Sequence, residues 1–286
     1  DVEIAFLEGE ATSLVAQSKN PDSVKYAWVH TDMIKNPWTD KCYKNFEQEK
    51  EVYSKYDRVI AVSKSVKEAF EKKFELPAQV VYNALDEKEI ERKTLLFEGN
   101  PKSEEITRLI SIGRLEKVKG FERLIEAFAE LIKETPNVEL YLVGDGSERS
   151  GLERLIAEKK VGDKVKLLGF KSNPYPYLKS SDVFVCSSYA EGFSTVVTEA
   201  LILGIPTVTT ECAGMRELLG DSEYGLIVEN STKGILDGLR KMTGDPVMLE
   251  AYQKKAKERG RAFCVADRIK EIEALIEQDC EKKRRR

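Results

Sequence analysis

From residue 107 onward, short apolar runs alternate with helix-patterned segments, the order that builds βαβ units around a parallel sheet. Six runs read as strands: 107–113, 138–143, 165–169, 182–188, 205–210 and 224–229. Helical patterns lie between or after them at 118–134, 150–159, 194–203, 215–219 and 232–242. Six strands suffice for a complete doubly wound domain, and such sheets bind ligands outside the carboxyl ends of their strands. The stretch Tyr189-Ala-Glu-Gly-Phe-Ser-Thr-Val-Val-Thr-Glu-Ala200 falls at that place, after the apolar run Asp182–Ser188. A buried strand ends there, a loop carries Glu191 and Gly192, and a helix begins near Ser194.

The first half offers four strand candidates, 2–7, 25–30, 57–62 and 79–82, and no initiating methionine. The expectation is therefore an amino-terminal domain lacking its first strands. The segment from Glu91 to Ser103, with Gly99, Asn100 and Pro101, has linker composition. The expected division is a partial acceptor-side domain at 1–98, a nucleotide-sugar domain at 99–264, and a carboxyl-terminal helix at 265–286 that packs back toward the first domain. Two charged helices with Gly260 between them fill the last forty residues. The 286 residues carry 46 basic and 50 acidic side chains, so no global field favours nucleic acid. Five scattered cysteines and one histidine point to a reducing compartment and exclude a multi-histidine metal site. No apolar run approaches the ~20 residues of a membrane span, and the amino end is strand-like rather than a secretory leader.

Several residues converge on one chemistry. Arg114 and Lys119 follow the strand ending at Gly113, where a guanidinium and an ammonium suit phosphate oxygens. Ser194 at a helix start leaves the next N–H groups for an anion. Carboxylates do not hold phosphate but accept hydrogen bonds from sugar hydroxyls, and Glu191 and Glu199 stand eight apart. Phe170 follows the strand-end Gly169, where its ring or backbone can meet a nucleobase; core packing is the equal alternative. Val143-Gly-Asp-Gly146 reads as a tight turn or a ligand contact, and Gly214 as a further backbone donor. His30 ends a strand-like run, as does Asn83, which an Asx-turn also explains. Ser63 and Ser65 are expected helix N-caps.

Together Gly113-Arg-Leu-Glu-Lys-Val-Lys-Gly120, Val143-Gly-Asp-Gly146, Leu168-Gly-Phe170 with Asn173-Pro-Tyr, and Glu191-Gly-Phe-Ser through Glu199-Ala closely resemble retaining glycosyltransferases of family four, with the GT-B fold. Trp28-Val-His30, Ile60-Ala-Val-Ser63 and Tyr82-Asn-Ala-Leu-Asp86 are similar to the later part of the acceptor-side domain, in particular of bacterial capsule and exopolysaccharide enzymes. The resemblance implies an α/β protein of two doubly wound, Rossmann-like parallel-sheet domains facing a cleft, the amino-terminal one incomplete. It implies metal-independent transfer of a hexose, with retention, from a nucleoside-diphosphate sugar (a UDP-sugar by the same resemblance) to a glycan or lipid-linked acceptor. Arg114 and Lys119 would hold the diphosphate and Glu199 the ribose. Glu191 with Gly192, Phe193, Ser194 and Thr195 would hold the hexose, and His30 would lie near the reacting centre. No cofactor is called for. The expected setting is the cytoplasm; the tail Glu281–Arg286 reads first as a solvated end, with peripheral contact to anionic lipid at the inner membrane face as the alternative.

Two alternatives stand beside this reading. One is a sugar-nucleotide-binding subunit whose remaining strands come from a partner chain, or a truncated module inactive without them. The other is a different enzyme on the same scaffold, such as an epimerase or phosphorylase.

Overall fold

The apolar runs become two all-parallel sheets in the computed structural model, which describes residues 1–96, 105–263 and 265–285. The chain divides into two units: Asp1–Ala84 with Glu191–Phe193 and Val265–Arg286, and Leu85–Ala190 with Ser194–Cys264.

In the first unit the order is β1 (Val2–Ala5), α1 (Glu10–Ala16), β2 (Val24–Val29), α2 (Phe46–Ser54), β3 (Arg58–Ala61), α3 (Lys64–Phe74) and β4 (Gln79–Val80). The four strands lie in sequence order, β1-β2-β3-β4, with Trp28 opposite Ile60 and Ile60 opposite Gln79. Ser63 caps α3 by accepting from the N–H of Val66 at 3.1 Å. Ser65 does not cap: it lies within the first turn of α3, its hydroxyl 3.0 Å from that of Ser63. Tyr53, Phe70 and Phe74 form the aromatic core of this unit, with ring centroids about 5 Å apart.

The second unit begins with α4 (Glu87–Thr94), capped by Asp86. A helix therefore occupies the start of the segment whose composition reads as linker, and Gly99, Asn100 and Pro101 lie outside the described residues. There follow β5 (Thr107–Ile112), α5 (Phe121–Leu131), β6 (Val138–Val143), α6 (Arg149–Glu158), β7 (Val165–Gly169), α7 (Tyr175–Lys179), β8 (Val183–Cys186), α8 (Thr195–Ile202), β9 (Thr207–Thr210), α9 (Met215–Leu219), β10 (Leu226–Val228), α10 (Thr232–Gly244) and α11 (Pro246–Gly260). The final helix α12 (Val265–Arg284) belongs to the first unit. The six strands lie in the order β10-β9-β8-β5-β6-β7, which is the doubly wound order with its reversal between β5 and β8.

The central strands β5, β6, β8 and β9 are almost wholly buried because helices cover both faces of a parallel sheet. In α5, Phe121, Leu124, Ile125, Phe128 and Leu131 recur at helical spacing and are each at most 2% exposed. Burying each contributes about 1.5–3 kcal/mol, which presses α5 against the sheet. That packing fixes the turn just before α5, where the candidate phosphate ligands lie.

Candidate functional site

Every candidate in the second unit lies just beyond the carboxyl end of a strand of one sheet. Arg114 follows β5, and Lys119 ends a 3-10 turn, Lys117–Lys119, that leads into α5. Gly169 ends β7 and precedes Phe170. Ser194 and Thr195 open α8, which carries Glu199 one turn later. Strands β5 and β8 are hydrogen-bonded neighbours, so the cations and the helix start flank the reversal point of the sheet.

The Arg114 side chain is 75% exposed and meets Glu116 at 2.7 Å. Such a surface pair is worth no more than about 1 kcal/mol, so a phosphate can take over the guanidinium. A methyl group built on Gly113 would lie 3.9 Å from Cδ and Cε of Lys119, which places that lysine stem over the end of β5. The main chain of Lys119 is bonded on both sides: its N–H donates to Glu116 at 2.9 Å, and its carbonyl accepts from the Ser187 hydroxyl at 2.9 Å.

Ser194 occupies the N-cap position of α8, but its side chain makes no capping hydrogen bond. Its carbonyl accepts the Thr198 N–H at 3.1 Å, so the helix is closed behind it while the first-turn donors point outward. Glu199 is half-buried, and the Tyr175 hydroxyl donates to one of its oxygens at 3.0 Å. Burial holds the Glu199 carboxyl above the usual carboxylate range, and the hydrogen bond from Tyr175 opposes that rise. Burial and the Glu199 charge together raise the Tyr175 phenol, so it stays protonated as a donor.

Phe170 is 75% exposed, which removes core packing as its explanation and leaves the ring at the sheet edge. The glycine turn after β6 serves the backbone. A methyl group on Gly144 (φ +143°) would lie 1.8 Å from the Gly113 carbonyl oxygen, and one on Gly146 2.5 Å from that of Leu115. These glycines let the loops after β5 and β6 touch.

His30 and the segment Glu191–Phe193 belong to the first unit. His30 follows β2; its backbone N–H donates to Glu8 at 2.6 Å, and its Nε2 lies 2.8 Å from the Phe6 carbonyl oxygen. Gly192 lies so close to His30 that a methyl group there would sit 1.9 Å from the His30 carbonyl oxygen. Phe193 is buried with its ring 5.1 Å from that of Tyr82, and Glu191 is half-buried. Gly214, in the left-handed region at φ +76°, starts α9.

Three contributors were given no role from the sequence, Tyr175 among them although it lies in the motif Asn173-Pro-Tyr. Glu8 is 4% exposed and accepts from the N–H groups of His30 and Thr31 and from the Thr31 hydroxyl. Its neighbour Gly9 was the available signal, a turn residue closing a strand. Tyr175 sits behind Pro174 and before Pro176, so its helix was hidden. Arg123 is 3% exposed inside an amphipathic helix pattern, where an arginine reads as surface. Among the described residues no three His, Cys, Asp or Glu side chains converge as a metal site requires. Nor is any described helix long and apolar enough to cross a membrane.

Residues 92–259 match the family of glycosyl transferases group 1. The chain is 35% identical over 276 residues to the N-acetylgalactosamine-N,N'-diacetylbacillosaminyl-diphospho-undecaprenol 4-alpha-N-acetylgalactosaminyltransferase of Campylobacter jejuni, covering 93% of this chain and 69% of that one. It is 31% identical over 183 residues to the N-acetyl-alpha-D-glucosaminyl L-malate synthase of Bacillus anthracis, covering 64% of this chain and 48% of that one. The structure of Anabaena Alr3699/HepE in complex with UDP superposes with a TM-score of 0.81 at 20% identity, over 97% of this chain and 79% of that one. Two all-parallel sheets, the second doubly wound, the βα loops of that second sheet and these matches lead to one conclusion: the chain belongs to the glycosyl transferases group 1, with a fold of GT-B type.

Proposed function

We propose that this glycosyltransferase moves a hexose from a nucleoside-diphosphate sugar to a hydroxyl of a glycan or lipid-linked saccharide, with retention of configuration. The six-stranded unit takes the donor and the four-stranded unit the acceptor. The observation that carries this reading is the meeting of two loops at the sheet's reversal point, one bearing Arg114 and Lys119, the other leading into α8 and Glu199. Negative charge develops on the departing diphosphate, and Arg114, Lys119 and the first-turn amides of α8 supply the stabilising field without a divalent ion. Glu199 accepts from the ribose hydroxyls, Gly169 and Phe170 border the base, and Glu191 with the backbone of Gly192, Phe193, Ser194 and Thr195 holds the hexose. His30 borders the anomeric carbon. A uridine donor is supported by UDP in a structural relative, and a lipid-linked acceptor by the name of the Campylobacter relative. Such an acceptor would place the reaction at the cytoplasmic face of a membrane.

Titration calorimetry with UDP-sugars tests the reading. Arg114→Ala and Glu199→Ala should each weaken donor binding by about 1–3 kcal/mol, the cost of removing a partner from a polar contact. Unchanged affinity in both variants would remove the donor site from this sheet edge. Proton spectroscopy of the initial product distinguishes retention from inversion.

A further inference from the structure

Three successive carbonyls beyond β8 are held by side chains. The carbonyl of Ser187 accepts from Nε (2.8 Å) and Nη2 (2.5 Å) of Arg123. That of Ser188 accepts from the Thr210 hydroxyl at 2.6 Å and the Cys212 thiol at 3.2 Å. That of Tyr189 accepts from the Asn230 amide at 3.0 Å. A loop fixed at three consecutive residues by α5, by the end of β9 and by the segment after β10 is a rigid platform. Its upper side grips the β5 loop: the Ser187 hydroxyl donates to the Lys119 carbonyl at 2.9 Å, and the Tyr189 N–H to the Val118 carbonyl at 2.8 Å.

The arginine is built into this platform. Its guanidinium carbon lies 3.8 Å from the centre of the Tyr189 ring, whose hydroxyl is anchored on Glu122 at 2.8 Å. Gly120, in the left-handed region at φ +61°, is required by the same contact, since a methyl group there would lie 2.3 Å from the Ser187 oxygen and 2.7 Å from Arg123 Nε. Burial lowers the guanidinium's proton affinity from its usual value, yet a fork delivering two N–H groups to one carbonyl is a geometry no lysine reproduces.

We propose that Arg123, acting through Ser187, is a positioning residue that sets the height of Lys119 for the donor diphosphate. Arg123 touches no substrate atom in this scheme. It holds the Ser187 carbonyl, the Ser187 hydroxyl holds the Lys119 carbonyl, and the lysine stem is thereby laid across Gly113. The proposal rests on the phosphate-binding role of Lys119.

The experiment is a double-mutant cycle on UDP affinity by calorimetry, with UMP as the shorter probe and the melting temperature recorded for each variant. Ser187→Ala and Arg123→Lys, each alone, should weaken UDP binding about three- to tenfold, the equivalent of roughly one hydrogen bond. UMP binding should change far less. In the Lys119→Ala background neither substitution should weaken UDP further, because the group they position is gone. Additive losses in the cycle, or equal losses for UDP and UMP, would overturn the proposal and leave Arg123 a fold-stabilising residue. If Lys119→Ala alone left UDP affinity intact, the lysine's phosphate role and the positioning claim would both fall. Should Arg123→Lys not fold, Ser187→Ala carries the test.

Discussion

Glu199 is kept above the usual carboxylate range by burial, with the Tyr175 hydroxyl pulling the other way. The sign of this shift has two consequences that point in opposite directions. Relative to an unfolded value near 4.3, the fold favours the protonated form, so the contribution to stability is full below that pH and is lost as pH rises through the folded value. At neutral pH the fold therefore carries an ionised group at a cost, and Glu199→Gln should raise the melting temperature at pH 7 but not near pH 4. Ribose hydroxyls need the anion as acceptor, so the same substitution should weaken donor binding at neutral pH. The wild-type advantage over Glu199→Gln in UDP affinity should shrink as pH falls through the raised value; taking the ratio cancels the titration of UDP itself. A ratio that stays constant across that range would show that Glu199 does not accept from the nucleotide. This residue's placement was legible, since a strand, a glycine loop and a helix start locate it. Its partner was not, because the proline-flanked Tyr175 reads as loop, although proline is well tolerated in the first turn of a helix.

Secondary structure was legible wherever burial imposes a pattern. Nine of the ten strands described here fall within the runs read as strands, and β2 begins one residue earlier, at Val24, because buried strands leave mostly apolar positions in the sequence. Helices α1, α2, α4 and α7 were missed for the converse reason: they are short and fewer than half of their residues are buried, so no apolar stripe marks them. The loop after β6 shows what a motif can mean besides ligand contact. Gly144 has φ +143° and no room for a side chain, because the Gly113 carbonyl oxygen would lie 1.8 Å from its Cβ. Gly144→Ala should therefore destabilise the protein by more than about 1 kcal/mol, strain and steric overlap adding to the loss of conformational freedom. The urea midpoint measures this. A variant with an unchanged midpoint would mean that the strand ends can separate at no cost, and with them the framework that carries Arg114.

At the scale of the whole molecule, the chain leaves the four-stranded unit after Ala84, contributes Glu191–Phe193 to it, and returns to it for good at Val265. Beside the exposed pair of Lys283 with Asp57 at 3.1 Å, the return is fastened chiefly through one carboxylate. Asp279 of α12 takes Arg58 of β3 in a bidentate pair, 2.6 and 2.7 Å, and accepts from the Tyr26 hydroxyl of β2 at 2.8 Å. Arg58 also donates to Gln79 of β4, so one carboxylate ties a carboxyl-terminal helix to three adjacent strands. The packing of this helix against the first domain was expected, but its clasp was not legible, because an aspartate among the charges of α12 is indistinguishable from its solvated neighbours. Asp279→Ala leaves Arg58 and Tyr26 with only their weaker partners. Because Arg58 is 21% exposed, the cost should be about 2 kcal/mol, short of the ~3–5 kcal/mol of a fully buried pair. Limited trypsin digestion should then cut within 268–283 well before the rest of the chain. The Arg58 hydrogen bond depresses the Asp279 carboxyl, so its contribution is present above the ordinary aspartate value near 3.9 and is lost only as pH falls through the lower folded value. Digestion at pH 5, with a protease active there, should accordingly leave wild-type α12 protected. Release at pH 5 with Asp279 intact would show that a group other than this pair fastens the helix.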